Sequence, residues 1–257
     1  MFKNLVLISF ISLPLASENL LDIYNEALDN DPQYKSSEYS LLAGKEFVVQ
    51  GRAGLLPNVT LSGSTNWNEY YRFDELQSAY NNNSVTARLT QPLFRLDSWF
   101  NFKRSKKLTD ASEADFAYAQ QNLIIRTVEK YFGVLRAIDN LNAAVSEEKA
   151  IKKQLDQIQQ RFEVGLSAIT EVQEAQLAYD LSVAAKIRSE GALFNAREEL
   201  NSLIGREIFS IDSLKADIVP ENPNPTTKQE WVDIALKNNY RLQASVLRRD
   251  ASQDSAR

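Results

Sequence analysis

Apolar and polar positions change period several times along this chain, and each change marks an element. Between residues 58 and 73 the odd positions carry Val59, Leu61, Trp67, Tyr71 and Phe73, while the even ones carry Asn58, Thr60, Ser62, Ser64, Asn66 and Asn68. A second stretch repeats the alternation, with Val85, Ala87, Leu89 and Leu93 set against Ser84, Thr86, Arg88 and Thr90. A period of two predicts strands with one apolar and one polar face. Asn81-Asn82-Asn83, between the two runs, reads as a connecting loop. A soluble antiparallel sheet and a hairpin of a membrane barrel share this pattern. Two features speak for the barrel: the polar face is Asn, Ser and Thr rather than charged, and Trp67, Tyr70, Tyr71 and Phe73 gather near one end, as in an interfacial girdle. The pattern alone leaves both open.

Elsewhere the period is helical. Residues 18–55 read as helix, interrupted at Asp29-Asn30-Asp31-Pro32, because proline cannot accept the preceding turn without losing a hydrogen bond. The stretch resumes through Tyr34, Tyr39, Leu41, Leu42, Phe47 and Val48, and ends at Gly54 and Pro57. After Pro92 no proline occurs until Pro220, and Ala, Leu, Gln, Glu, Lys and Arg dominate, all good helix formers. Ile124, Val128, Tyr131, Leu135 and Ile138, with Val145 after a skipped Asn142, follow coiled-coil spacing. The one break is Val164-Gly165-Leu166-Ser167, where Gly165 ends one helix in the left-handed conformation and Ser167 caps the next. Residues 97–163 and 168–203 therefore predict a helical hairpin whose first arm reaches roughly 100 Å at about 1.5 Å per residue. A soluble coiled-coil hairpin has the same composition.

Composition narrows the chemistry. The chain has no cysteine and no histidine. That removes thiol nucleophiles, Cys/His zinc sites and Ser-His-Asp arrangements. No metal ligands or cofactor-binding residues stand out. Paired acids such as Glu147-Glu148 and Glu198-Glu199 are adjacent on a helix and diverge by about 100°, so no catalytic residues are expected and the chain does not read as an enzyme. A net charge of -5 without a basic field argues against a nucleic-acid partner, and none is expected. The one basic cluster is Lys103, Arg104, Lys106 and Lys107.

The termini add organisation. Residues 1–17 read as a signal peptide: Lys3 is the positive start, Leu5 to Leu13 the apolar stretch, and Ala16-Ser17 the small residues near cleavage. A short buried strand or helix is the other reading. No other apolar run approaches the roughly 20 residues of a membrane helix. Glu221-Asn222-Pro223-Asn224-Pro225 reads as linker, and beyond it the chain echoes itself. Ala27-Leu28-Asp29-Asn30 recurs as Ala235-Leu236-Lys237-Asn238 at a spacing of 208, and Asp22-Ile23 as Asp233-Ile234 at 211. A long-period repeat changes how the whole fold is read. The expectation is that the chain stops one helix into a second copy.

Helix, two strands, long helical hairpin, linker and restart is also the order of the repeat unit of the TolC family. Particular stretches resemble that family. Glu18-Asn19-Leu20-Leu21 is similar to its mature N-terminus, Leu55-Leu56-Pro57 to its entry into the first strand, and Leu89-Thr90-Gln91-Pro92-Leu93-Phe94 to the end of its second. The strongest likeness runs from Gln160 through Arg161-Phe162-Glu163-Val164-Gly165-Leu166-Ser167-Ala168-Ile169-Thr170-Glu171 to Val172, which resembles the periplasmic tip of the first hairpin. The resemblance as a whole covers essentially all of residues 18–257, but only about the first half of a full family member.

The resemblance implies a mainly α fold with a short β-hairpin, in which a long α-helical coiled-coil hairpin joins two strands of a trimeric transmembrane β-barrel. The implied layout is a first helical segment at 18–57, two transmembrane strands with an extracellular loop at 58–95, and a periplasmic hairpin at 96–203 with its tip near 163–168. A linker follows at 204–228 and the second repeat starts at 229–257. The implied protein is an outer-membrane channel, the exit duct of a tripartite efflux or type I secretion system for drugs, toxins or proteins. Its implied partners are two further copies, a periplasmic adaptor, an inner-membrane pump and outer-membrane lipid. A soluble periplasmic coiled-coil scaffold is the alternative.

On the channel reading, Val59, Leu61, Trp67, Val85 and Leu89 face lipid, and Thr60, Ser62, Ser64, Thr86 and Arg88 face the lumen. Trp99, Phe100 and Phe102 sit at the periplasmic interface, with the four basic residues near lipid phosphates or simply solvated. The resemblance assigns Val164, Gly165 and Leu166 to adaptor docking. It also places Gln160 and Glu171 at positions of the family's gate, with Glu171 where the family often has aspartate. Two strands in each of three copies make only six, below the eight of the smallest single-chain barrels, so this chain alone is expected to form no pore.

Overall fold

A computed structural model of the chain describes residues 17–214 and 222–255. The expected signal peptide falls on residues 1–17 and, apart from Ser17, lies outside them. In order the elements are α1 (Leu20–Asn30), α2 (Pro32–Ala53), β1 (Asn58–Arg72), β2 (Glu75–Thr90), α3 (Leu96–Glu163), α4 (Ile169–Ile204), α5 (Lys228–Asn238) and α6 (Tyr240–Ser255). The fold is mainly helical with one two-stranded antiparallel sheet. The chain divides into two compact units: residues 1–36 with 119–226, and residues 37–118 with 227–257. Helices α2 and α3 contribute to both.

In the first unit α1 is started by a capping box. The Asn19 side chain accepts from the Leu21 and Asp22 amides at 2.9 and 3.0 Å, and Asp22 reaches back to the Asn19 amide. Its inner face buries Ile23 and Ala27 completely, against Leu200, Leu203 and Ile204 at the end of α4. Asp31 stops α1 and starts α2: its N–H donates to the Ala27 carbonyl at 2.9 Å, and its carboxylate accepts from the Tyr34 amide at 3.0 Å. The buried Asp31 carboxylate also pairs with the Arg126 guanidinium of α3.

A clasp holds the start of the described chain. The Glu18 amide donates to the Ser210 carbonyl at 3.2 Å, and the Asp212 amide to the Glu18 carbonyl at 3.0 Å. The Tyr131 hydroxyl sits between the Glu18 and Asp212 carbonyls, at 3.2 and 2.9 Å. Burial, and then the charge of Asp212, push the Tyr131 hydroxyl above the ordinary tyrosine range. Arg206 grips Glu26 through two 2.6 Å bonds and Glu18 through one of 2.9 Å, and these carboxylates hold its guanidinium more firmly protonated than usual.

The α3–α4 seam corrects the expected heptad. Of the expected residues Tyr131 and Leu135 are buried, but Ile124 and Val145 are exposed. The buried line runs one residue earlier, through Leu123, Thr127, Val134, Ala137 and Ala144 to Leu155. It faces Ala175, Ser182, Leu193, Leu200 and Leu203 on α4, also spaced by threes and fours. Small residues let the helices approach, so the bulkiest apolar side chains do not mark the seam. Lys186–Glu148 at 3.2 Å and Lys152 over the Tyr179 ring at 5.6 Å bind the same pair of helices.

In the second unit α2 lies hard against the start of α3. A Cβ at Gly44 would stand 2.3 Å from Ser112 Oγ, and one at Gly51 would stand 2.5 Å from Ser105 Oγ, so both positions require glycine. Helix α6 runs antiparallel to α3, tied by Lys107–Asp254 at 2.7 Å and by Arg248–Asp115.

The α5–α6 break repeats the α1–α2 break. Thr227 caps α5 as Asn19 caps α1; Asn239 N–H donates to the Ala235 carbonyl at 2.9 Å, and the Asn239 side chain accepts from the Leu242 amide at 3.0 Å. Every equivalence keeps the spacing that carries Ala27 to Ala235. The Asp22-Ile23 echo at Asp233-Ile234 is therefore a coincidence; the true counterpart of Asp22 is Glu230, the acid three residues after the cap.

Candidate functional site

The hairpin is the first candidate. β1 and β2, of 15 and 16 residues, pair with Val59 opposite Leu89, Leu61 opposite Ala87 and Gly63 opposite Val85. Directly opposed residues share a face, so the apolar positions of both strands fall together. Thr60, Ser62 and Ser64 oppose Arg88, Thr86 and Ser84 on the other face, where the Ser64 and Ser84 hydroxyls lie 2.8 Å apart. Both faces are open: Val59 is 73%, Leu61 74%, Val85 81% and Leu89 69% exposed.

The turn is at Phe73 and Asp74, both with positive φ, as a two-residue primed turn requires. Asn81-Asn82-Asn83 is not a loop but lies within β2, opposite Trp67, Asn66 and Thr65. A turn at those asparagines would have broken the match of Val59 with Leu89, and register follows the apolar match. A bulge at Tyr70/Tyr71 keeps Tyr71 and Leu76 paired near the turn.

The girdle contains a residue that the sequence did not single out. Glu69 shares a face with Trp67 and Tyr71, and its carboxylate accepts from the Trp67 indole at 3.1 Å and the Tyr71 hydroxyl at 2.7 Å. Two-residue spacing along one strand face was the signal available. At the other end of the hairpin, Trp99 is half exposed and packs on Phe102 at 6.2 Å, and Lys103 lies 5.7 Å from both the Trp99 and Phe100 rings. Lys107 does not share the expected role at a lipid surface, because its ammonium is held by Asp254.

The hairpin tip is the second candidate. Gly165, at φ 77°, closes α3 with two bonds: its own amide to the Phe162 carbonyl at 2.9 Å, and the Leu166 amide to the Arg161 carbonyl at 2.8 Å. These are the paired bonds of a Schellman stop. Val164 and Leu166 project on either side of it, 69% and 70% exposed. Ser167 does not cap α4. The cap is Ala168, without a side-chain bond, and the Ser167 hydroxyl donates instead to Glu171 at 2.6 Å. The helix starts one residue later than expected, which puts Ser167 four positions before that carboxylate. Gln160 is exposed in the last turn of α3, and no hydrogen bond joins it to Glu171.

Among the described residues no group of acids could hold a metal ion, and no helix is long and apolar enough to cross a membrane. The latter says nothing about strands. The model of the outer membrane efflux protein family matches residues 23–206.

The chain belongs to the outer membrane efflux protein family.

Outer membrane protein TolC of Vibrio cholerae is 33% identical over 245 residues, covering 95% of this chain and 55% of that protein. Alkaline protease secretion protein AprF of Pseudomonas aeruginosa is 29% identical over 233 residues, covering 87% of this chain and 48% of its own. Among solved structures, the CmeC outer membrane channel of Campylobacter jejuni superposes with a TM-score of 0.75 at 20% identity, over 94% of this chain and 52% of that one. The chain thus spans about half the length of the curated relatives it matches. The fold is that of a TolC-like channel, and, as a member of this family, the protein is located in the outer membrane.

Proposed function

We propose that this chain forms part of the wall of an outer-membrane exit duct, through which drugs, toxins or proteins leave the periplasm. The observation that carries the proposal is the helix-side half of the hairpin, where one face holds Val59, Leu61, Gly63, Val85, Ala87 and Leu89, the other holds Asn, Ser and Thr with Arg88, and both are open; toward the turn Thr65, Glu69, Asn81 and Asn83 join the first face. Water on the Val and Leu face forgoes about 1.5–3 kcal/mol for each such side chain left uncovered. Lipid against one face and water against the other removes that cost without covering the polar face. Both outer strand edges must also pair, because backbone groups in lipid have no other partner, and strands of a second repeat together with those of further copies in a trimer supply those pairs. AprF and TolC among the relatives support export as the task, including protein secretion.

On this reading Val59, Leu61, Trp67, Val85 and Leu89 meet lipid, and Trp99, Phe100 and Phe102 mark the periplasmic interface. The α3–α4 hairpin extends the duct, Val164, Gly165 and Leu166 dock a periplasmic adaptor that links to an inner-membrane pump, and Gln160 and Glu171 belong to the gate. Gly165→Trp abolishes export while trimers still assemble; normal drug resistance in that variant overturns the tip assignment.

The native chain has no cysteine, so single cysteines report cleanly on the wall. In outer membranes, Ser62→Cys and Ser84→Cys react with a water-soluble maleimide and Leu61→Cys and Leu89→Cys do not. Equal labelling of both faces, or release of the protein by osmotic shock, returns a soluble scaffold instead.

A further inference from the structure

Away from the turn, the Asn, Ser and Thr face of the hairpin carries a single charge. From the strand ends to the Tyr70–Ser78 pair, that face presents Asn, Ser, Thr and Tyr together with Arg88. Its cross-strand neighbour is Thr60, and Thr86 and Thr90 flank it on its own strand. Arg88 is exposed, and no carboxylate lies within ion-pair distance of it among the described residues. The next charges on this face, Arg72 and Glu75, oppose each other beside the turn and offset one another. Thr90 ends β2, so Arg88 stands one pleat inside the end of the strand nearest the helices.

We propose that Arg88 makes the helix-side mouth of the barrel selective for anions, favouring permeants that carry carboxylate, sulfonate or phosphate groups. The inference rests on the duct reading above, which turns this face to the lumen. Each copy adds one Arg88 at the same height, so closure of a trimeric barrel sets three guanidinium groups at one level, each with no acid beside it on its own hairpin. Rings of like charge at a narrow level of a pore bias which ions enter. Guanidinium stays charged at every working pH and binds oxyanions through paired donors. Neutral Asn, Ser and Thr elsewhere on the face neither cancel the bias nor add to it.

The test uses the assembled channel as purified from outer membranes, with every strand of its barrel present, reconstituted in planar bilayers with potassium chloride gradients as the probe. Arg88→Gln lowers the chloride-to-potassium permeability ratio by about twofold or more at low salt. Arg88→Glu moves it further in the same direction, and Arg88→Lys restores the wild-type ratio. The differences shrink at about 1 M salt, where screening acts within roughly 3 Å. Ser62→Cys in the same pores separates the two claims, because a charged thiol reagent alters conductance only where that face lines the lumen. If Ser62→Cys responds and Arg88→Gln leaves the ratio unchanged, the selectivity role is overturned and the duct reading stands. If Ser62→Cys does not respond while Leu61→Cys does, the face assignment fails, and the selectivity role with it.

Discussion

At the α1–α2 break the Asp31 side chain accepts from the Tyr34 amide at 3.0 Å; at the α5–α6 break Asn239 accepts from the Leu242 amide at the same distance. The main-chain bonds match as well, with Lys35 donating to the Asp31 carbonyl and Gln243 to the Asn239 carbonyl, each at 3.0 Å. Their surroundings differ. Asp31 is buried and paired with Arg126, and α1 sinks Ile23 and Ala27 into a core. Helix α5 buries nothing: Trp231 is 46% exposed and Leu236 61%. The break is thus a local product of one short polar side chain that ends one helix and opens the next. What the first copy adds is tertiary, an ion pair and an apolar floor.

The sharpest way to separate local from tertiary support is to convert one junction into the other. Asp31→Asn keeps the cap and removes the ion pair, leaving a largely buried guanidinium alone, and should cost about 3 kcal/mol. Asn239→Asp should change stability by less than about 0.5 kcal/mol, since that site is exposed. Denaturant midpoints of the purified variants measure both. Equal effects at the two sites would show that the ion pair contributes nothing beyond the cap.

Truncating the two helices comes next in size. Ile23→Ala empties a fully buried site and should cost about 2–4 kcal/mol. Its counterpart Trp231→Ala removes more atoms but should cost about 1 kcal/mol or less in the isolated chain, because half of that ring already meets water. A larger loss at Trp231 than at Ile23 would mean that α5 is covered by something absent from the described residues.

These junctions also show what can be read from a sequence. The break before Pro32 is legible because proline and three neighbouring polar residues leave few alternatives, and the tip is legible because Gly165 combines a stop with a flanking family motif. The repeat was half legible: Ala27, Leu28 and Asn30 are matched in identity, but the equivalence of Asp22 with Glu230 lies in the helix cap rather than in the letters. The hairpin faces followed from parity alone, whereas its turn did not. Three asparagines outweigh Phe73-Asp74 on turn chemistry, and the deciding match of Val59 with Leu89 is a contact across thirty positions. Ala137 and Ala144 marked a seam that only proximity reveals. Asp31 with Arg126, and Tyr131 with Glu18 and Asp212, join residues too far apart in the chain for any local pattern to connect.

The smallest expected difference concerns how each copy is anchored at its start. Helix α5 begins with Thr227 alone, whereas α1 begins beside the Tyr131 clasp, whose hydroxyl is buried between two carbonyls. Burial raises the Tyr131 hydroxyl above its ordinary value of 10.0. Between that value and its raised one, the folded chain keeps a proton that the unfolded chain releases, so stability must fall as pH rises through this window. Below pH 10 the clasp contributes in full. Tyr131→Phe should therefore lower stability by about 1 kcal/mol at neutral pH, the worth of a hydrogen bond. The variant and wild-type curves should then converge above pH 10, because only the wild type has this proton to lose. Denaturation midpoints between pH 8 and 11.5 provide the comparison. Coincident curves across that range would mean that the clasp is held by the Glu18 and Asp212 amides and that the hydroxyl adds nothing to the anchoring of α1.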